Sequence, residues 1–185
     1  MKNLPFHNLN LYLKSDHLAA MGAVACMATR LEDHLTNFLE ALAGASNPIA
    51  GLAHHILVDR WSNYQKRKKI MTLAREFHKS DPEFIHDLER LMKRAYKLMK
   101  KRNRLFHWTS APAFDEEGNA DLDRIIFMGP NVAVSSGLKV GVEEFSSKTT
   151  ARLASDLKKL CDDCAKMYPK IRVRMDRLID ASLHR

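Results

Sequence analysis

Leu31, Leu35, Phe38 and Leu42 recur at steps of four, three and four, the spacing of one apolar helix face. The pattern predicts a helix that opens at Ser15, a capping residue, and runs to about Leu42. The stretch "GASNP" at 44–48 stops it. A second stripe of Ile56, Leu57, Trp61, Tyr64, Ile70, Leu73 and Phe77 predicts a helix from about Ile49 or His54 to His78. "SDPEF" then restarts the chain, with Ser80 or Asp81 as cap and Pro82 in the first turn. The third helix carries Phe84, Leu88, Leu91, Met92, Ala95, Leu98 or Met99, and Leu105. It ends near His107, because "TSAPAF" cannot continue it.

Beyond Trp108 the pattern changes. "FDEEGNAD" is turn chemistry, and "RIIFMG" and "LKVGV" are short β-prone runs. A small β-hairpin or meander over about 108–145 is therefore expected between the third and fourth helices. "SSKTT" opens the fourth helix, with Leu153, Leu157, Leu160 and Cys164 on its apolar face. Pro169 is read as a restart, followed by a fifth helix carrying Ile171, Met175, Leu178 and Ile179. Residues 1–14, with Leu9, Leu11 and Leu13 alternating, form an N-terminal arm. The expected fold class is mainly α: one helical-bundle domain over 15–185 with a β-rich insert.

The formal charge of +8 suits an acidic partner. Its distribution is more informative. Residues 60–104 hold 15 Lys and Arg against 5 Asp and Glu, a balance of +10, which leaves −2 for the rest. Localised positive charge is the footprint of a nucleic-acid binder, and also of a merely solvated helix face. Three Cys suggest no disulfide framework and fit a reducing, cytoplasmic compartment. The longest apolar run, "LAAMGAVACMA", is too short to span a bilayer. Lys14, Asp16 and His17 just before it argue against a signal sequence, so no membrane partner is expected.

The basic segment ends in "KKRNRLFHW", residues 100–108. Asn103 and His107 are four apart and share a helix face. Arg102 sits about 100° round from Asn103. A guanidinium grips phosphate bidentately, an imidazole trades protons near neutral pH, and an amide orients either. The bland reading is a cationic last turn favoured by the helix dipole.

The stretch "RNRLFH" resembles the RNxxxH motif of the HEPN superfamily, named for higher eukaryotes and prokaryotes nucleotide-binding. The order of a motif late in a helix, then an insert, then the last helices is similar too. The resemblance in architecture covers about residues 15–182, and the motif itself six residues. It implies a metal-independent endoribonuclease, toxin- or defence-related, acting as a homodimer with one composite cleft. An antitoxin or regulatory protein is among the partners it suggests. Arg102 and His107 would be the catalytic pair, with Asn103 beside the Arg and no cofactor or metal. Trp108 departs from the small residue expected after the His. A non-catalytic HEPN-like binding or dimerisation scaffold is the alternative.

Lys97, Lys100, Lys101, Arg104 and Trp108 are the candidate RNA-binding residues, with Lys93, Arg94 and Tyr96 beside them and "KRKK" at 66–69 as an extension. Glu32 and Asp33 either pair with the motif or solvate the first helix. Cys161 and Cys164 have CxxC spacing but no second ligand pair, so packing is the expected role. A single "EFIH" at 83–86 lacks the second copy a di-iron bundle needs. His54 and His55 are adjacent and point apart on a helix.

Overall fold

The structure is a computed structural model, and it describes residues 13–43, 61–132 and 138–183. The expected N-terminal arm up to residue 12, and His54 and His55, lie outside these residues. Four helices are described: α1 (Ser15–Leu42), α2 (Asn63–Phe77), α3 (Pro82–His107) and α4 (Ser147–Leu183). Between α3 and α4 run β1 (Thr109–Phe114), β2 (Ala120–Val132) and β3 (Leu138–Ser146), a three-stranded antiparallel sheet in that order. The chain is mainly helical with a small sheet, as the hydrophobic pattern implies. Among the described residues, no helix is long and apolar enough to cross a membrane.

The chain groups into two compact units. Met1–Cys26 and Leu98–Asp156 form one, Met27–Lys97 and Leu157–Arg185 the other. The second unit, whose described elements are helices, holds the α1 stripe as expected, with Leu31, Leu35, Phe38 and Leu42 fully buried. Phe38 stacks on Tyr168 of α4, with centroids 6.5 Å apart. Glu32 accepts a hydrogen bond from Asn63 at 2.9 Å, so it ties α1 to the start of α2.

Of the helix expected from about Ile49 or His54 to His78, the part before residue 61 lies outside the described residues, and the described part starts at Asn63. Ser62 has extended backbone and closes a capping box, its Oγ accepting from the Gln65 amide while Gln65 Oε1 accepts from the Ser62 amide. A cap of this kind satisfies amides that a continuing helix would have paired, so one helix cannot run through Ser62. Tyr64 and Phe77, expected on the apolar face, are 63% and 44% exposed.

Asp81 caps α3, accepting from the Phe84 amide at 3.0 Å, and Arg174 of α4 donates to its other oxygen at 2.9 and 2.8 Å. The Arg174 guanidinium lies 4.5 Å from the Phe84 ring centroid, and His78 meets that ring edge-on. His78 is buried, and its Nε2 has no partner among the described residues. Burial, then the Arg174 charge, holds its pKa below 6.5 against the pull of Asp81. The unfolded chain therefore takes up a proton where the folded chain does not. Stability is expected to be full above 6.5 and to fall as pH drops through 6.5 toward the folded value. Burial lowers the pKa of His34 as well, and it acts in the same direction. Urea titrations at about pH 7 and about pH 5 check this, with His78→Phe expected to flatten the dependence.

Pro169 does not divide the last helix: α4 runs unbroken from Ser147 to Leu183. The proline forfeits one backbone bond. However, Leu160, Cys164 and Ile171, all fully buried, and Met167 and Met175 keep one apolar stripe in step through it. Burial of that stripe outweighs the lost bond. Leu178, expected on the stripe, is 39% exposed.

In the first unit, Ile125, Phe127 and Phe145 supply the buried face of the sheet, with Phe127 and Phe145 edge to face at 5.3 Å. The hairpin between β1 and β2 turns on Asp115, which accepts from the Glu117 and Asn119 amides, and on Gly118, whose φ of +83° suits glycine. β1 lies inside the expected β-rich insert, although "TSAPAF" itself shows no alternation and holds Pro112. An edge strand tolerates that proline. Pro130 in β2 lies beyond the last pair with β1, Thr109 with Met128, so it faces β3 alone.

The Trp108 ring lies directly against the backbone of Gly129 in β2, where any Cβ would collide with it. Gly129→Ala is expected to cost about 1–3 kcal/mol, read as a lower urea midpoint.

Candidate functional site

The end of α3 gathers the motif. Leu88 and Ala95 are wholly buried. Arg102 continues their seven-residue spacing, so its Cβ projects from the buried stripe of the helix. Asn103 lies about 100° round, and His107 about 140° round and roughly 7–8 Å further along the axis. Asn103 and His107 are exposed, and Arg102 is half-buried.

Arg102 is steered by its neighbours. Its Nη1 donates to Asn103 Oδ1 at 3.1 Å, and its guanidinium carbon sits 5.3 Å from the Phe106 ring centroid. Its Nε is shielded and has no partner among the described residues. A shielded N–H is closed to a ligand, so an oxyanion would have to meet the guanidinium at its terminal nitrogens. His107 is exposed and makes no hydrogen bond among the described residues. The structure joins Arg102 to Asn103 directly. It joins His107 to them only through the shared helix end.

Arg104 and Trp108 are engaged within the same unit. Arg104 donates to Glu143 of β3 at 2.5 Å and lies 5.1 Å from the Trp108 ring. Trp108 in turn rests on Gly129. Together they fasten the sheet to the end of α3 and fix the backbone beside His107. Lys97, Lys100 and Lys101 are exposed and make no ion pair among the described residues. Lys93 pairs with Glu89 at 3.2 Å, and Arg94 with Asp163 at 2.6 Å.

The run "KRKK" splits. Lys66 is buried and donates to Thr36 at 2.9 Å. Arg67 turns inward toward the Met92 carbonyl. Only Lys68 and Lys69 are exposed. Glu32 serves α2 rather than the motif. Cys161 and Cys164 are both buried. Burial, then Cys161 and Asp163, pushes the Cys164 thiol up to about 12. Such a thiol is no nucleophile at neutral pH. Among the described residues, no three His, Cys, Asp or Glu are placed to hold a metal ion.

Phe106 and Glu143 shape the site and were not singled out in the sequence. Phe106 was readable, four residues after Arg102, whereas Glu143 is 39 residues from Arg104. Comparison of the chain with known protein families, with curated proteins and with solved structures found no match.

Proposed function

We propose that the end of α3 is the active site of a metal-independent endoribonuclease of HEPN type, acting as a homodimer. The observation that supports this most is that Arg102, tethered by Asn103, and an exposed, unpartnered His107 five residues on share one helix end. In the proposed reaction a ribose 2′-OH attacks the adjacent phosphorus. The P–O5′ bond breaks, leaving a 2′,3′-cyclic phosphate and a 5′-hydroxyl. His107 takes the proton from the 2′-OH or returns one to the departing oxygen. Arg102 stabilises the charge that develops on the phosphoryl oxygens, and Asn103 holds the guanidinium in place. One chain supplies one imidazole, so the second proton transfer falls to the His107 of a second copy. Lys97, Lys100 and Lys101 carry the backbone of the strand.

The test is RNA cleavage in excess chelator by wild type, Arg102→Ala and His107→Ala. Mixing the two variants is not expected to restore full activity, because the mixed dimer holds a single His107 and the proposed reaction uses one from each copy. A second reading, a non-catalytic scaffold, is favoured by the position of Arg102 on the buried stripe of α3. Wild type that leaves RNA intact while dimerising supports that reading instead.

A further inference from the structure

We propose that Tyr64 and Tyr96, braced by Arg67, form a platform on which unpaired bases of an RNA strand stack. It rests on the proposed RNA substrate and assigns that substrate a single-stranded form. Every group involved belongs to the unit formed by Met27–Lys97 and Leu157–Arg185.

The observation is an arginine spent on two exposed rings. Arg67 projects from α2, and its guanidinium carbon lies 6.0 Å from the Tyr64 centroid and 4.6 Å from the Tyr96 centroid on α3. Its Nη1 donates to the Met92 carbonyl at 3.3 Å. Half-buried in this way, Arg67 is committed to the two rings and the Met92 carbonyl. Its effect is to fix two aromatic side chains on neighbouring helices.

Those rings are 63% and 49% exposed, and neither hydroxyl has a partner among the described residues. A large ring usually buries its face, so two open rings held by one half-buried cation need an explanation beyond packing. Cations stand where a phosphate backbone needs them. Lys68 lies one turn after Tyr64, Lys93 one turn before Tyr96, and Lys97 next to it, all exposed. Lys93 carries Glu89 as counter-ion, which leaves Lys68 and Lys97 uncommitted. Aromatic faces interleaved with free cations are the chemistry of single-strand binding, since every base has a π-face and every linkage a charge. An acidic peptide would use the lysines and leave the rings idle.

The probe is a labelled oligouridine of about twelve nucleotides, bound to the His107→Ala protein so that cleavage does not interfere. Tyr64→Ala and Tyr96→Ala are each expected to weaken binding about 5- to 100-fold. Tyr64→Phe and Tyr96→Phe, which keep the ring, are expected to stay within about two-fold. Lys68→Gln and Lys97→Gln are each expected to lower the salt dependence by about one ion. In a wild-type background the Tyr→Ala changes raise KM for long substrates and leave kcat unchanged.

Unchanged affinity in both Tyr→Ala variants overturns the platform. So does an equal loss of affinity for duplex RNA, whose bases are not free to stack, or binding of polyglutamate that matches that of the RNA. An oligodeoxynucleotide held tightly where the RNA is not also overturns it. Ring-dependent RNA binding by a wild-type protein that never cleaves RNA leaves the platform standing and removes the nuclease reading. Cleavage without ring-dependent binding does the reverse.

Discussion

His107→Ala is expected to slow RNA cleavage about 10²–10⁴-fold, the range for removing a positioned proton carrier. Arg102→Ala is expected to slow it about 10²–10³-fold, as the loss of one transition-state donor does. Single-turnover cleavage in chelator measures both. His107 is exposed and unpartnered, so its removal leaves the thermal midpoint within a degree or two. Arg102 leans on Phe106 and sits half-buried, so its loss also removes packing. Arg102→Lys separates the two effects: it keeps the charge and most of the stem but loses the planar fork. A rate near that of Arg102→Ala, in a protein as stable as wild type, assigns the loss to phosphate geometry.

The largest effect on stability from a near-isosteric change is expected at Thr36. Lys66 is 4% exposed, and its Nζ donates to Thr36 Oγ1 at 2.9 Å. Thr36 Oγ1 also donates to the Glu32 carbonyl of its own helix at 3.1 Å, which orients the lone pairs toward the lysine. Thr36→Val keeps the shape and removes the acceptor, leaving a buried cation without its partner. The expected cost is about 2–3 kcal/mol, or roughly 5–10 °C in the melting midpoint. Lys66→Met removes the charge and fills similar space, so it is expected to be neutral or slightly stabilising. Thermal melts of both variants check the asymmetry. Equal losses in the two would show that Lys66 contributes through attraction rather than through the cost of isolating it.

Much of the fold could be read where a local rule decides. Asp81 with Pro82, and "TSAPAF", mark the ends of α3 because capping and proline act over one turn, whereas Ser15 is the first helical residue of α1 and the Leu18 amide donates to the Lys14 carbonyl before it. The expected helix from about Ile49 or His54 to His78 is interrupted at Ser62, where the capping-box spacing with Gln65 is present in the sequence; its part before residue 61 lies outside the described residues. Pro169 was read as a break because the missing bond is local, whereas the buried stripe that carries α4 past it is tertiary. At the candidate site, Arg102, Asn103 and His107 were legible as a motif. That Arg102 springs from the buried face was also readable, as the third member of the spacing Leu88, Ala95, Arg102. The commitment of Arg104 to Glu143, and of Arg67 to Tyr96, was not readable. Both join residues far apart in sequence, and no local pattern encodes such a meeting.

The ends left on cut RNA test the proposed chemistry most directly. A substrate labelled on either side of the cut, incubated in excess chelator, is expected to yield a 2′,3′-cyclic phosphate and a 5′-hydroxyl. A single 2′-deoxy sugar at the scissile position is expected to block that cut alone. Products ending in 3′-hydroxyl and 5′-phosphate, or a cut that survives the 2′-deoxy sugar, would contradict the account.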